Sequence, residues 1–452
     1  MKHFGTRAIS RFAADKSGNF AILTAVCASA LMLAVGFGVN VAQSYQVKSS
    51  LQNALDAAVT STARDLTIGA IKVEDARTVV EAFLRANSDS KFSVQDGFVL
   101  DTLDVDPLTR TVSATASANV ALAFPIFTDK DPRVSIDSAA LYSDRKIEVA
   151  MMLDITGSMA GDKIKDLKTA AASAVGRLLE KNLDPNNPRV RVALVPYANS
   201  VNVGKAVAEK AVFVETKKSE RTQAPSSNDP KLVSAARPDN CATERKGDYR
   251  YSNEGPSASM VNRDLLLGAY AEKYRTPTCS QKSVMVPLTA DAARLTDTIG
   301  GFVAEGGTAG HIGIQWSWYM LSRQWADVVG AAAAPAAKDP KKVGKYAILM
   351  TDGEFNLGYA DAANVDQVYG TAAKLRSMPH AKALCEAMRK DGIEVFTIGF
   401  DLREDDAKDV MRSCATPDTS SFKHYYEAAT GEQLKAAFDT IVSNIEGLAL
   451  TR

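Results

Sequence analysis

The sequence predicts an α/β protein held by a single N-terminal transmembrane helix. A small α+β module follows the helix, and a doubly wound parallel sheet carrying an insertion follows the module. Three observations support this reading. No charged residue occurs from Ser17 to Val47. From Lys146 onward, continuous apolar runs alternate with helical patterns, the sign of a parallel sheet covered on both faces. Two of those runs end in carboxylates, at the strand ends where doubly wound sheets bind ligands. The 452 residues suffice for two or three domains. The balance of 53 Lys+Arg against 53 Asp+Glu argues against a protein that coats nucleic acid. Four His, at 3, 311, 380 and 424, never fall at H-x-x-x-H spacing. They leave little material for a zinc hydrolase, so metal chemistry here would use oxygen ligands.

The first element is the anchor. Phe20 to Val41 is apolar apart from Thr24, Ser29 and Asn40. Its twenty-two residues give roughly 33 Å, enough to cross a bilayer. Ala28-Ser29-Ala30 has the form of a signal-peptidase site but lies inside the run, so the helix is read as uncleaved. Val26 is a poor residue before a lipidated Cys27. Lys2, Arg7, Arg11 and Lys16 outweigh Asp15 on the short side, which keeps that side cytosolic. The expected segments are a cytosolic stub at 1–16 and a transmembrane helix at 17–42, with the remaining chain across the membrane. Four further cysteines then lie in an oxidising compartment. Proximity among the three possible connectivities favours Cys241–Cys279 and Cys385–Cys414.

A stalk helix is expected at 43–66, where Leu51, Leu55, Ala58 and Val59 recur at three- and four-residue spacing. Its small-residue face suits packing against another helix, and so permits a helix-mediated oligomer. The module at 67–144 contains a helical pattern at 70–86 and alternating runs at 92–100, 111–123 and 134–141. The α/β domain is placed at 145–446, with strands at 147–153, 190–195, 346–350 and 394–399. Its helices are expected at 164–179, 292–303, 311–321, 372–390 and 431–446. The polar stretch 204–283 is read as an insertion tied by Cys241–Cys279. The Ala-, Pro- and Lys-rich segment 330–345 is read as a flexible surface loop. Trp316 is expected in the core and Trp318 at the surface.

The chemistry-bearing residues sit at strand ends. The first strand runs into Asp154-Ile155-Thr156-Gly157-Ser158-Met159, which puts a carboxylate and two hydroxyls at alternate positions facing the crevice. A later strand ends in Thr351-Asp352-Gly353-Glu354, and Gly306-Gly307-Thr308 precedes a helix between the two. Hard oxygen donors of this kind suit Mg²⁺, Ca²⁺ or Mn²⁺. The three segments in this order resemble the metal-ion-dependent adhesion site of von Willebrand factor type A domains. That resemblance covers Lys146–Glu446. It implies a Rossmann-like fold in which Asp154, Thr156, Ser158, Thr308 and Asp352 hold one divalent cation, directly or through water. Ala309 departs from the pattern, which places a polar residue after the Thr.

The whole chain is similar to TadG-like pilus-assembly proteins of Flp (tight-adherence) systems. The resemblance rests on the charged N-terminus, Asp15-x-x-Gly18-Asn19-Phe20-Ala21 leading into the anchor, Leu51-Gln52-Asn53-Ala54-Leu55-Asp56-Ala57-Ala58, and the C-terminal Tyr425–Arg452 segment. Some relatives are cut after Gly, five residues before Glu. Here Leu23 stands at that position, so no such cleavage is expected. The resemblance implies a non-enzymatic protein of the bacterial inner membrane with a periplasmic body. It also implies a protein partner in a pilus or secretion complex, and no nucleic acid. Two alternatives are an adhesin for an external ligand and an envelope scaffold with a purely structural metal. No catalytic Lys or His accompanies the two Asp, and no phosphate loop occurs, so the chain is read as not an enzyme. Glu354 is read as a solvated carboxylate. His311 either touches the site or packs the helix it begins, and the second reading is favoured.

Overall fold

The computed structural model describes residues 19–67, 70–87, 94–106, 109–125, 132–142, 145–180, 182, 184–215, 220, 222–230, 232, 237–264, 278–362 and 365–451. The expected stub at 1–16 lies outside them. The chain divides into two compact units, one made of residues up to 66 with 71–142, the other essentially 143–452.

In the first unit, helix α1 (Asn19–Thr67) runs unbroken for 49 residues, about 73 Å. Its two halves differ. Between Ile22 and Val41 the apolar side chains, including Leu23, Val26, Leu31, Met32 and Val35, are exposed around the helix. This stretch is long and apolar enough to cross a membrane. Farther on, Val47, Leu51, Leu55, Ala58, Val59 and Ala63 are buried at helical spacing. They form one core with helix α2 (Ala76–Asn87) and an antiparallel sheet. Its strands are β1 (Val94–Asp106), β2 (Thr111–Val120) and β3 (Arg133–Leu141), in the order β1-β2-β3. The expected stalk residues therefore pack into the module's core, a different use of the small-residue face from the helix pairing that it also permits. The sequence pattern is the same in both cases, because small apolar residues admit any close neighbour.

The second unit is built on a six-stranded sheet, beside which Val201–Asn202 pairs with Cys241–Ala242 and Val212–Val214 with Val261–Arg263. Strand β4 (Lys146–Asp154) is buried after its first residue. It is followed by helix α3 (Asp162–Leu179), β5 (Val190–Tyr197), β6 (Val286–Thr289), helices α4 (Ala292–Gly300) and α5 (Gly310–Tyr319), and β7 (Val343–Thr351). Helix α6 (Gly370–Lys390), β8 (Glu394–Phe400), α7 (Asp405–Cys414), β9 (Tyr425–Ala428) and α8 (Gly431–Thr451) complete it. The spatial order is β6-β5-β4-β7-β8-β9, parallel except for the antiparallel edge β6. Leu167, Leu295 and Phe438 of α3, α4 and α8 belong to the core on one face. Ile312, Leu384 and Val410 of α5, α6 and α7 belong to the core on the other. The doubly wound class is therefore present. The short β9 and the charged α7 lack the apolar runs that would have revealed them.

Both disulfides form, Cys241–Cys279 and Cys385–Cys414. They are 38 and 29 residues apart in sequence, and each is worth about 3–4 kcal/mol in the chain-entropy account. The inserted stretch contributes to the core rather than hanging from it, since Val207, Val212, Ala242 and Val261 are all buried. The 330–345 segment is also fastened. Buried Glu148 accepts the Ala336 N–H at 2.9 Å, while Arg191 and Lys345 pair with Glu148 at 2.5 and 3.2 Å. Arg191 donates to the Ala334 carbonyl as well. Trp316 is core as expected, but Trp318 is buried too, and its indole N–H donates to Asp391 at 3.0 Å.

Candidate metal centre

The strand order reverses at β4: β5 lies on one side of it and β7 on the other. A crevice opens at the carboxyl ends of two such strands, because their following segments leave toward opposite faces. Asp154 ends β4, and Asp352 directly follows β7.

Asp154 is fully buried. Its Oδ1 accepts the Thr156 N–H at 2.9 Å and the Thr156 hydroxyl at 2.6 Å. Its Oδ2 accepts the Tyr197 hydroxyl at 2.7 Å, the Thr351 hydroxyl at 2.8 Å and the Asp352 N–H at 3.3 Å. Thr156 Oγ1 lies 2.9 Å from Ser158 Oγ, and the Ser158 hydroxyl donates to Asp352 Oδ1 at 2.6 Å. Thr308 reaches the same place. A Cβ on Gly353 would stand 3.5 Å from both Ser158 Oγ and Thr308 Oγ1. The structure thus brings together all five oxygen-bearing residues singled out in the sequence.

The glycine turn is held from outside. Gly306 has φ +83°, and a Cβ there would meet the Asn199 amide nitrogen at 2.7 Å, so only glycine fits. The Gly307 N–H donates to Asn199 Oδ1 at 2.7 Å, and the Thr308 N–H donates to Asn356 Oδ1 at 3.1 Å. These two asparagines orient the turn while Ala309 lies fully buried beyond it. No local motif announced either one.

Burial, together with the nearby Asp154 charge, pushes the Asp352 carboxyl up to about 6. The Tyr197 phenol is held well above its usual range by burial and by Asp154, so it remains a donor. Lys163, in the first turn of α3, supplies positive charge. Its Nζ lies 3.0 Å from Asp352 Oδ2 and 3.0 Å from Asp401 Oδ2. Burial alone would lower the lysine pKa, but the bonds to the two carboxylates outweigh it and the net shift is upward. Asp401 is a non-glycine residue at φ +51°, a conformation uncommon outside glycine. Lys163, Asp352, Glu354, Asp401 and Arg403 line an open crevice of about 300 Å³ beside the oxygens. A larger groove of about 730 Å³ lies around Asn182, Arg191 and Asp291, near the start of β5 and away from these oxygens.

Two carboxylates and three hydroxyls, with no nitrogen or sulfur donor, fit a hard divalent cation. Glu354 does not join them. It is ion-paired with Lys374.

A second convergence was not legible in the sequence. Buried Glu244 accepts from His311 Nε2 at 2.6 Å and from the N–H groups of Tyr359 and Ala360, each at 2.7 Å. His380 completes a group whose ligand atoms lie within 4.8 Å of one another. Burial opposes ionisation of Glu244, but His311 and the hydrogen bonds hold its carboxyl well below the usual range. Burial pushes His380 down to about 4. The Arg250 guanidinium lies 3.1 Å from His380 Nε2 and is held there by Asp361 at 2.8 Å. A fixed positive charge on that nitrogen opposes a metal ion, so the cluster acts as a polar pin between the inserted stretch, α5 and α6. His311 therefore packs its helix rather than the oxygen site.

Residues 18–65 match the family model described as putative Flp pilus-assembly TadE/G-like. No curated protein matches the chain. Among solved structures, the chain is similar to the vWF domain of the type V pili tip protein Mfa5 from Porphyromonas gingivalis. That pair shows 14% identity and a TM-score of 0.39, covering 68% of this chain and 97% of that one. The pilus adhesin SpaC from Lactobacillus rhamnosus GG shows 12% identity and a TM-score of 0.36, covering 79% of this chain and 36% of that one. The adhesive tip pilin from Group B Streptococcus agalactiae shows 11% identity and a TM-score of 0.35, covering 67% of this chain and 100% of that one.

Proposed function

We propose that this is a non-enzymatic, single-pass envelope protein that captures a protein partner of a pilus-assembly complex through a divalent cation held in a von Willebrand type A domain. The observation that carries the reading is the convergence of five oxygen-bearing side chains from three separate segments on the ends of β4 and β7. Asp154, Thr156, Ser158, Thr308 and Asp352 would hold the cation, with Mg²⁺ the first choice and Ca²⁺ or Mn²⁺ the others. The bound cation supplies an open coordination position to an oxygen of the partner. The chain's own residues do the rest. Tyr197 and Thr351 fix Asp154, Asn199 and Asn356 fix the Thr308 turn, and Lys163 sets the charge of the rim. The match over residues 18–65 supports a pilus-assembly role, and the N-terminal charge pattern supports a cytosolic start with a periplasmic body.

The test is crosslinking and pull-down from native membranes, comparing wild type, Asp154→Ala, and wild type with EDTA. Intact disulfides and protease resistance serve as the check on folding. Loss of the same partners in both the variant and the EDTA sample is the expected result. Partners retained in all three samples would leave a scaffold whose contacts lie elsewhere.

A further inference from the structure

The apolar half of α1 contains one asparagine near its end, and the structure gives it a specific use. Asn40 is buried, and its Nδ2 donates to the Phe124 carbonyl at 2.6 Å. Its Oδ1 accepts the Phe124 N–H at 3.1 Å. Gln43 Oε1 accepts the neighbouring Ala123 N–H at 3.0 Å. The loop after β2 is thereby clamped along the helix, with the Phe124 ring over Gly36: a Cβ on Gly36 would stand 3.3 Å from Phe124 Cγ. Ala123, Phe124 and Pro125 are nonetheless exposed, as are Val35 and Val41 of the helix at the same level.

Depth follows from arithmetic. Gly36 lies six residues before the expected end of the span at 42, about 9 Å along the axis. The headgroup zone is only about 6 Å thick on each side of a hydrocarbon layer of about 30 Å. A helix that spans the bilayer therefore carries Phe124 to the border of the hydrocarbon. Backbone at that depth needs internal partners for its N–H and C=O groups, and Asn40 and Gln43 provide them for the Ala123 N–H and for both backbone groups of Phe124.

We infer that the Ala123–Pro125 loop is a second contact of this protein with the bilayer, an apolar wedge at the lipid surface beside the spanning helix. The inference rests on the membrane-spanning reading of α1. Two contacts, a rod and a wedge, set the tilt at which the small module stands on the membrane, which a rod alone would leave less constrained.

The test uses the full chain in lipid vesicles, with Cys27→Ser removing the one free thiol among the described residues. Single nitroxide labels are placed at Phe124→Cys, Pro125→Cys, Met32→Cys and Leu141→Cys, and their accessibility to oxygen and to a water-soluble nickel chelate is measured. Met32 is an exposed residue of the apolar half. Leu141 is exposed at the far end of β3, opposite Thr111, roughly 27 Å from the loop end of that strand. The expected result is lipid-like accessibility at 32, 124 and 125, with oxygen favoured, and water-like accessibility at 141. Water-like values at both 124 and 125 with lipid-like values at 32 overturn the wedge while leaving the span intact. Low accessibility to both reagents at 124 and 125 overturns it in favour of a protein neighbour. Water-like values at 32 overturn the span and the wedge together.

Discussion

Lys163 bridges Asp352 and Asp401, so its ammonium stands where it neutralises one of the expected cation ligands. At an effective dielectric near 20, a unit charge about 5 Å from a divalent ion opposes binding by about 7 kcal/mol before the two paired carboxylates and solvent screen it. Partial exposure of the lysine reduces this, so about 1.4 kcal/mol, a factor of ten, is the expected penalty. Lys163→Ala is therefore expected to tighten Mg²⁺ and Mn²⁺ binding about tenfold by titration calorimetry. Weaker binding in the variant would mean that Lys163 holds Asp352 in place rather than competing for it. The five oxygen residues could be read from the sequence because each lies in a short run beside a strand end or a glycine turn. Lys163 and Asp401 could not, because one is an ordinary polar residue in a helix's first turn and the other lies on a loop without a motif. The ion pair exists only once α3 and the end of β8 are neighbours.

At the scale of elements, legibility followed burial. Strands β4, β5, β7 and β8 are apolar enough to announce themselves, whereas the amphipathic, four-residue β9 is not. The inserted stretch is polar in sequence for the same reason, although Val207, Val212, Ala242 and Val261 enter the core and Lys246 pairs with buried Glu215 and Asp264. Its attachment to α5 and α6 uses the Glu244–His311–His380 cluster, and this makes it sensitive to pH. His380 stays neutral when folded down to about 4, whereas an unfolded imidazole takes up its proton near 6.5. Its contribution is fully present above 6.5 and is lost as pH falls through about 4. Acidification should thus cost the fold on the order of 2–3 kcal/mol through this group. His380→Gln, which cannot take up the proton, is expected to flatten the fall in unfolding free energy between pH 7 and pH 4.5, measured by denaturant titration. An unchanged slope would assign the acid sensitivity to other groups.

For the whole molecule, the division into two units separates anchoring from chemistry. The membrane helix, the module built on it and the lipid wedge belong to the first unit. Both disulfides, the cores on the two faces of the sheet, all five oxygen residues and the Lys163–Asp401 pair belong to the second. Among the described residues, the hydrogen bonds of Asp154, Ser158 and Asp352 stay inside that unit. A chain comprising residues 143–452, made in an oxidising compartment, is therefore expected to fold with both disulfides closed. It should bind Mg²⁺ within about twofold of the full chain, since distant and independent parts contribute additively. A much weaker affinity would show that the anchor unit shapes the site across the junction. The same truncated chain separates two kinds of partner contact: proteins it captures in a metal-dependent way are held by the crevice, and proteins captured only by the full chain are held by the anchor unit or by the membrane it occupies.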